Sequence, residues 1–103
     1  MLLSKITFFE RFEQDILSGA KTITLRDETE SHVVAGQILP VSTFETDRWF
    51  CDIQIIDVMP VKLAELTDVH AKQENMTLPQ LRSVIAEIYP GLEQLYMISF
   101  VVL

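Results

Sequence analysis

A chain of 103 residues has material to close one hydrophobic core and none for a second. Hydrophobic residues at 49% against 22% charged exclude a disordered or low-complexity segment. A formal charge of −7, from 15 acidic and 8 basic side chains, is the wrong sign for gripping a long phosphate backbone by counterion release, so a small ligand is the easier partner to defend.

Lys5, Arg11, Lys21 and Arg26 all fall in the first quarter of the chain, which allows a local positive spot in an acidic molecule. Cys51 is the only cysteine, so no internal disulfide is expected and nothing points to an oxidising compartment. The opening MLLSKITFFERFEQ has too short an apolar run for a signal peptide, and no stretch is long enough to span a bilayer. The expectation is one soluble, cytoplasmic domain over residues 1–103, without linker or repeat. The sequence leaves the oligomeric state open, with a monomer as the expectation.

Ile6 to Phe9 is a short apolar stretch. From there Phe9, Phe12 and Ile16 recur at helical spacing until Gly19, which predicts a helix over about 9–18 closed by a C′ glycine. TITLRD alternates at period two and predicts a strand over 22–27. ETESHVVAG is polar and turn-like, and GQILPVSTFE resumes extended character, with Pro40 suggesting an edge or a bulge. TDR at 46–48 suits a hairpin tip before the long arm WFCDIQIIDV, which Pro60 should bend or end. Thr67 is a reasonable N-cap for a short helix to about 74. Thr77 with Gln80 has the form of a capping box opening a second helix, whose buried stripe is Leu81, Val84, Ile85 and Ile88 and whose end is Tyr89-Pro90-Gly91. LYMISFVVL is apolar on both faces and predicts a central, fully buried strand over 95–103. About five strands with helices in two insertions predict an α+β fold built on a small, largely antiparallel β-barrel.

Several chemistries drop out. His32, His70 and Cys51 have no metal-ligand spacing, so no metal is expected. A G-x-S-x-G elbow is absent, and Cys51 alternates with core residues, where a buried thiol is the simpler reading. SGAKTITLRDE is more informative. Lys21 and Thr24 could form a base and nucleophile pair, because a threonine hydroxyl is inert until a neighbouring amine removes its proton. Strict alternation, however, sets Lys21 opposite the face of Thr22, Thr24 and Arg26, so the pair requires Lys21 to belong to the glycine turn and not to the pleat. The competing reading is a solvated strand face with good β propensity. Glu74, with Asn75 beside it between two predicted helices, could donate a proton to a leaving group or simply be a solvated junction residue. Phe8, Phe9, Trp49 and Tyr89 could stack on a base or belong to the core.

In ITFFERFEQDILSGAKTITLRDETESH, HAKQENMTL and IAEIYPG, the chain resembles the small bacterial ASCH-domain proteins that act as N4-acetylcytidine amidohydrolases, in the same order over essentially all 103 residues. That resemblance implies a PUA-like β-barrel with flanking helices. It also implies hydrolysis of the N4-acetyl group to give cytidine and acetate, with a nucleoside as substrate and no cofactor. The family's general base, nucleophile and proton donor fall on Lys21, Thr24 and Glu74. Arg26, on the face of Thr24, would then bind the substrate or steady an oxyanion. LPQLRSV and ILPVSTFETDRW depart from the family pattern outside these motifs. The alternative is a non-catalytic RNA-binding module, since PUA-like barrels often serve that role, and the acidic balance argues against it. A protein-interaction domain using the acidic surface has no positive feature in its favour.

Overall fold

A computed structural model covering residues 1–103 shows a mixed five-stranded sheet curled into a half-barrel, with three α-helices. In chain order the elements are β1 (Ile6–Phe8), α1 (Glu13–Leu17), β2 (Ile23–Arg26), β3 (Ile38–Thr43), β4 (Trp49–Lys62), α2 (Asp68–Gln73), α3 (Leu78–Ile88) and β5 (Gln94–Val102). The strands lie in the order β1-β3-β4-β5-β2. β1 runs parallel to β3, and every other pairing is antiparallel.

The sheet buries both of its faces. On the concave face Ile6, Phe8, Leu39, Val41, Cys51, Ile53, Ile55, Ile98 and Phe100 form the larger core, closed by Ile16 of α1. On the other face Leu25, Val61 and Leu95 pack against Ala71 of α2 and Leu81 and Ile85 of α3. One strand serves two cores because its side chains alternate, so Leu95 and Ile98 of β5 point to opposite faces.

Both strand prolines, Pro40 and Pro60, sit where the strand on one side gives no pairing partner. Pro40 pairs with Asp52 inside the sheet, but β1 begins pairing only at Val41, so Pro40 lies beside a free edge; the bulge is one step later, between Val41 and Ser42. Pro60 does not end β4, which continues to Lys62. Beyond Gln54, β4 has only β5 as a partner, and the missing proline N–H can face the open side. The irregularity in the β4–β5 ladder is instead a bulge between Ile55 and Asp57. β5 is central as expected but not fully buried, since Val101 on the convex face is 44% exposed.

The predicted first helix is a 3₁₀ turn, Glu10–Phe12, leading into α1, and Gly19 closes it at φ +82°. Thr77 and Gln80 form the expected reciprocal cap, with Gln80 N donating to Thr77 Oγ1 at 3.3 Å and Thr77 N to Gln80 Oε1 at 2.9 Å. In the predicted stripe of α3, Leu81 and Ile85 are buried, whereas Val84 and Ile88 turn toward a cavity instead of the core.

Candidate active site

Two parts of the chain remote in sequence, residues 15–22 and 73–75, are tied together beside the cavity. The Lys21 N–H donates to the Asp15 carbonyl of α1 at 2.9 Å, and the Thr22 N–H donates to the Gln73 carbonyl at the end of α2 at 2.8 Å. Asn75 Nδ2 reaches back to Asp15 Oδ1 at 3.2 Å. The glycine turn and the helix-to-helix junction are thereby held against each other before any active side chain is considered.

The junction has a defined form. Glu74 is the C-cap residue of α2 and Asn75 follows at φ +57°, in the left-handed region that asparagine tolerates better than most residues. The Met76 N–H returns to the Ala71 carbonyl at 2.8 Å and the Asn75 N–H to the Lys72 carbonyl at 2.9 Å, which is a Schellman motif with asparagine in the usual glycine position. The chain reversal leaves the Glu74 side chain pointing inward, only 5% exposed.

Lys21 meets it there. Because β2 begins at Ile23, Lys21 belongs to the turn and the pleat does not dictate its direction. Its side chain is buried, and Nζ forms an ion-paired hydrogen bond with a Glu74 carboxylate oxygen. The ammonium stands 5.3 Å from the Phe12 ring centroid and 5.7 Å from that of Phe8. Burial drives the Lys21 pKa below the ordinary lysine range, the charge and hydrogen bond of Glu74 oppose that shift, Arg26 reinforces it, and Asp15 opposes it.

Thr24, 4% exposed, points to the concave face, opposite Ile98 across the β2–β5 ladder. Arg26, two residues on, shares that face. Its Nε donates to Thr24 Oγ1 at 3.0 Å, Nη1 to Glu30 Oε2 at 2.8 Å and Nη2 to the Thr7 carbonyl at 2.7 Å. The solvated-strand reading is therefore overturned, because all four residues of β2 are buried. Thr22 is the exception within the TITLR run, lying exposed and outside the strand.

Lys21, Thr24, Arg26 and Glu74 line one cavity of about 420 Å³, a size suited to a small organic molecule. Its remaining wall is largely apolar and includes Phe9, Phe12, Phe44, Met76, Val84 and Ile88. Phe9 and Phe44 pack edge to face at 5.2 Å, and Phe44 is 64% exposed at the rim.

Of the aromatics considered from sequence, Phe8, Phe9 and Tyr89 line the cavity. Phe8 lies beneath the two cations, 4.7 Å from Arg26 Cζ. Trp49 does not line the cavity: it is exposed and donates from Nε1 to Asp52. Cys51 is in the core, where burial, aided by Asp52 and Glu13, pushes its thiol up to about 11 and keeps it protonated.

Glu30 and Tyr89 join the site without having been singled out as a pair. Glu30 occupies the polar turn after β2, in a D-x-x-E pattern whose Asp27 side chain caps the Glu30 N–H at 3.1 Å. That capping pattern was the available signal. Phe44 and Met76 carried none, because neither belongs to a periodic stripe.

The architecture is that of the ASCH domains, a fold class with PUA-like topology. An ASCH domain from Lactobacillus crispatus JV V101 superposes with a TM-score of 0.76 at 16% identity, covering 98% of this chain and 80% of that one. A crystal structure of a protein from Enterococcus faecalis V583 gives 0.74 at 19% identity, covering 100% and 82%. No protein-family model matches the sequence. The curated relatives are much nearer. An N(4)-acetylcytidine amidohydrolase of Shewanella sp. (strain W3-18-1) is 98% identical over 103 residues, covering 100% of both chains. Another, from Shewanella baltica (strain OS185), is 86% identical over 103 residues, covering 100% of this chain and 98% of that one. The chain belongs to the N(4)-acetylcytidine amidohydrolase family.

Proposed function

We propose that the protein hydrolyses N4-acetylcytidine to cytidine and acetate, with Thr24 as nucleophile, Lys21 as base and Glu74 as proton donor, and without a metal ion. The reading is supported by one observation above all: an amine and an alcohol from the Lys21–Thr24 run and a carboxyl group from the junction some fifty residues later converge, nearly inaccessible to solvent, on one cavity. Family membership gives the substrate.

The Lys21–Glu74 pair supplies both proton roles from a single shared proton. With the proton on nitrogen the pair is ammonium and carboxylate; with the proton on oxygen it is a free amine and a carboxylic acid. The second form has the base and the acid the reaction needs, and burial, by disfavouring charge, brings it within reach. Lys21 takes the Thr24 proton as Oγ bonds to the acetyl carbon. Collapse of the tetrahedral species breaks the bond from that carbon to N4, and Glu74 protonates the departing nitrogen. In the second half, Glu74 takes a proton from the attacking water and Lys21 returns its own to Thr24 Oγ as acetic acid departs, restoring both groups. The electron-withdrawing cytosine ring makes N4 a better leaving group than an alkylamine, so a threonine without a metal suffices.

Depth sets the orientation. The reacting groups are buried while Phe44 and Ile88 are exposed at the rim, so the acetylated end enters first and the ribose faces out. The test is to incubate the purified protein with N4-acetylcytidine and a chelator and to measure cytidine. Release by the wild type should fall about 10²–10⁴-fold in Lys21→Ala, Thr24→Ala and Glu74→Ala. Undiminished release in all three variants would refute the roles, and loss of wild-type activity to the chelator would refute metal independence.

A further inference from the structure

Four side chains on one wall of the cavity form a single hydrogen-bonded line. Tyr89 Oη donates to Glu30 Oε1 at 3.3 Å, Arg26 Nη1 donates to Glu30 Oε2 at 2.8 Å, and Arg26 Nε donates to Thr24 Oγ1 at 3.0 Å. The bond from Nη2 to the Thr7 carbonyl and the Phe8 ring under Cζ fix the plane of the guanidinium.

The direction of each bond is set by chemistry. A guanidinium donates and cannot accept, so Thr24 Oγ must be the acceptor and its own proton must point away from Arg26. Burial above all, countered by Arg26 and aided by Glu30 and Asp27, holds the Tyr89 phenol up at about 12, so it keeps its proton and donates. Glu30 therefore accepts from both sides, and Arg26 donates on both.

We infer that Glu30 and Tyr89 are positioning residues for the hydrolysis: acting through Arg26, they hold Thr24 Oγ with its hydroxyl proton turned into the cavity, on the side open to Lys21. The inference rests on the reading of Thr24 as nucleophile. A role confined to fastening the sheet would be met by the bond from Arg26 to the Thr7 carbonyl alone. The Glu30 side chain is 46% exposed, and its two carboxylate oxygens are nonetheless divided between the phenol and the guanidinium behind the nucleophile.

The test compares wild type with Glu30→Gln, Glu30→Asp, Glu30→Ala and Tyr89→Phe. It measures kcat, KM and the pH dependence of kcat/KM on N4-acetylcytidine, together with three-bond NMR couplings to the Thr24 methyl. In Glu30→Gln, kcat should fall by about 10-fold or more, with KM changing by less than roughly threefold. Both limbs of the pH profile should move to lower pH, because losing a negative charge disfavours every protonated state nearby. The other charged groups facing the Lys21–Glu74 pair, Arg26 from β2 and Asp15 from α1, are unchanged in this variant. Glu30→Asp should restore the limbs. Tyr89→Phe, which removes one hydroxyl and spares the ring, should lower kcat in the same direction by less.

The Thr24 couplings should report one χ1 rotamer in the wild type and an average in Glu30→Ala. A rise in KM with kcat held would make Glu30 a substrate-binding residue and overturn the inference. An unchanged kcat with an unmoved Thr24 rotamer would overturn it as well. Should the wild type release no cytidine, the nucleophile reading falls, and the couplings then decide the positioning claim by themselves.

Discussion

Lys21 and Glu74 show how a cost in stability can be placed at a site. Each is almost fully buried, and the two share one ion-paired hydrogen bond. Taking two such groups out of water costs several kcal/mol that their attraction only partly offsets, whereas removing one partner leaves the other buried and uncompensated at a cost of about 3–5 kcal/mol. Lys21→Ala and Glu74→Ala should therefore each lower Tm. The double variant Lys21→Met with Glu74→Leu, which fills the same space with apolar atoms, should match or exceed the wild-type Tm and be inactive. Thermal denaturation of the four proteins checks this. A double variant less stable than both single variants would mean that the pair holds the fold together and is not a catalytic compromise.

At the scale of elements, the site depends on how a six-residue helix ends. Asn75 in the left-handed region ends α2 and aims Glu74 inward, so its substitution should affect both stability and rate. Asn75→Gly meets the backbone requirement and should keep kcat within a few-fold of wild type, whereas Asn75→Val meets it at a strain of about 1–2 kcal/mol and should lower Tm and displace Glu74. Equal kcat and Tm in the two variants would show that the helix end does not aim the carboxylate.

The same junction marks the limit of what the sequence discloses. Helix and strand periodicities place the elements, as the Thr77 cap and the alternation of β4 illustrate, because local side-chain spacing reports local geometry. The residue reading raised Lys21, Thr24 and Glu74 as candidates and the resemblance assigned them roles, while spacing alone left Lys21 ambiguous because the pleat rule does not apply to a turn. Pro60 misled because a proline is excluded only where a second strand needs its N–H, and where β3 stops is a matter of sheet topology. Val84 and Ile88 matched the core stripe of α3, since periodicity reports an apolar face without distinguishing a packed wall from a cavity wall. Glu30 and Phe44, in a turn and at a hairpin, belong to no period at all.

The whole molecule is acidic, yet its cavity is not. Lys21 and Arg26 are matched there by Glu30 and Glu74, so the ionisable lining sums to zero inside a chain of charge −7. The curled sheet makes this separation possible: Arg26, donating to the Thr7 carbonyl, carries a positive group across the gap between β2 and β1, the two edge strands, and both cations stay inside. A neutral nucleoside would enter without an electrostatic cost, whereas phosphates flanking the ribose would be repelled by the net charge of −7. Between unlike solutes, salt should then discriminate. The kcat/KM for free N4-acetylcytidine should stay within about twofold as ionic strength rises from 0.01 M to 0.1 M, while that for the same nucleoside inside a short oligoribonucleotide should start lower and climb as the Debye length shortens from about 30 to 10 Å and repulsion is screened. An RNA-binding module predicts the opposite sign, because each phosphate contact releases counterions and added salt weakens the complex. The direction of the salt effect on the oligonucleotide thus separates an acidic nucleoside hydrolase from an RNA-binding barrel, even if both released cytidine.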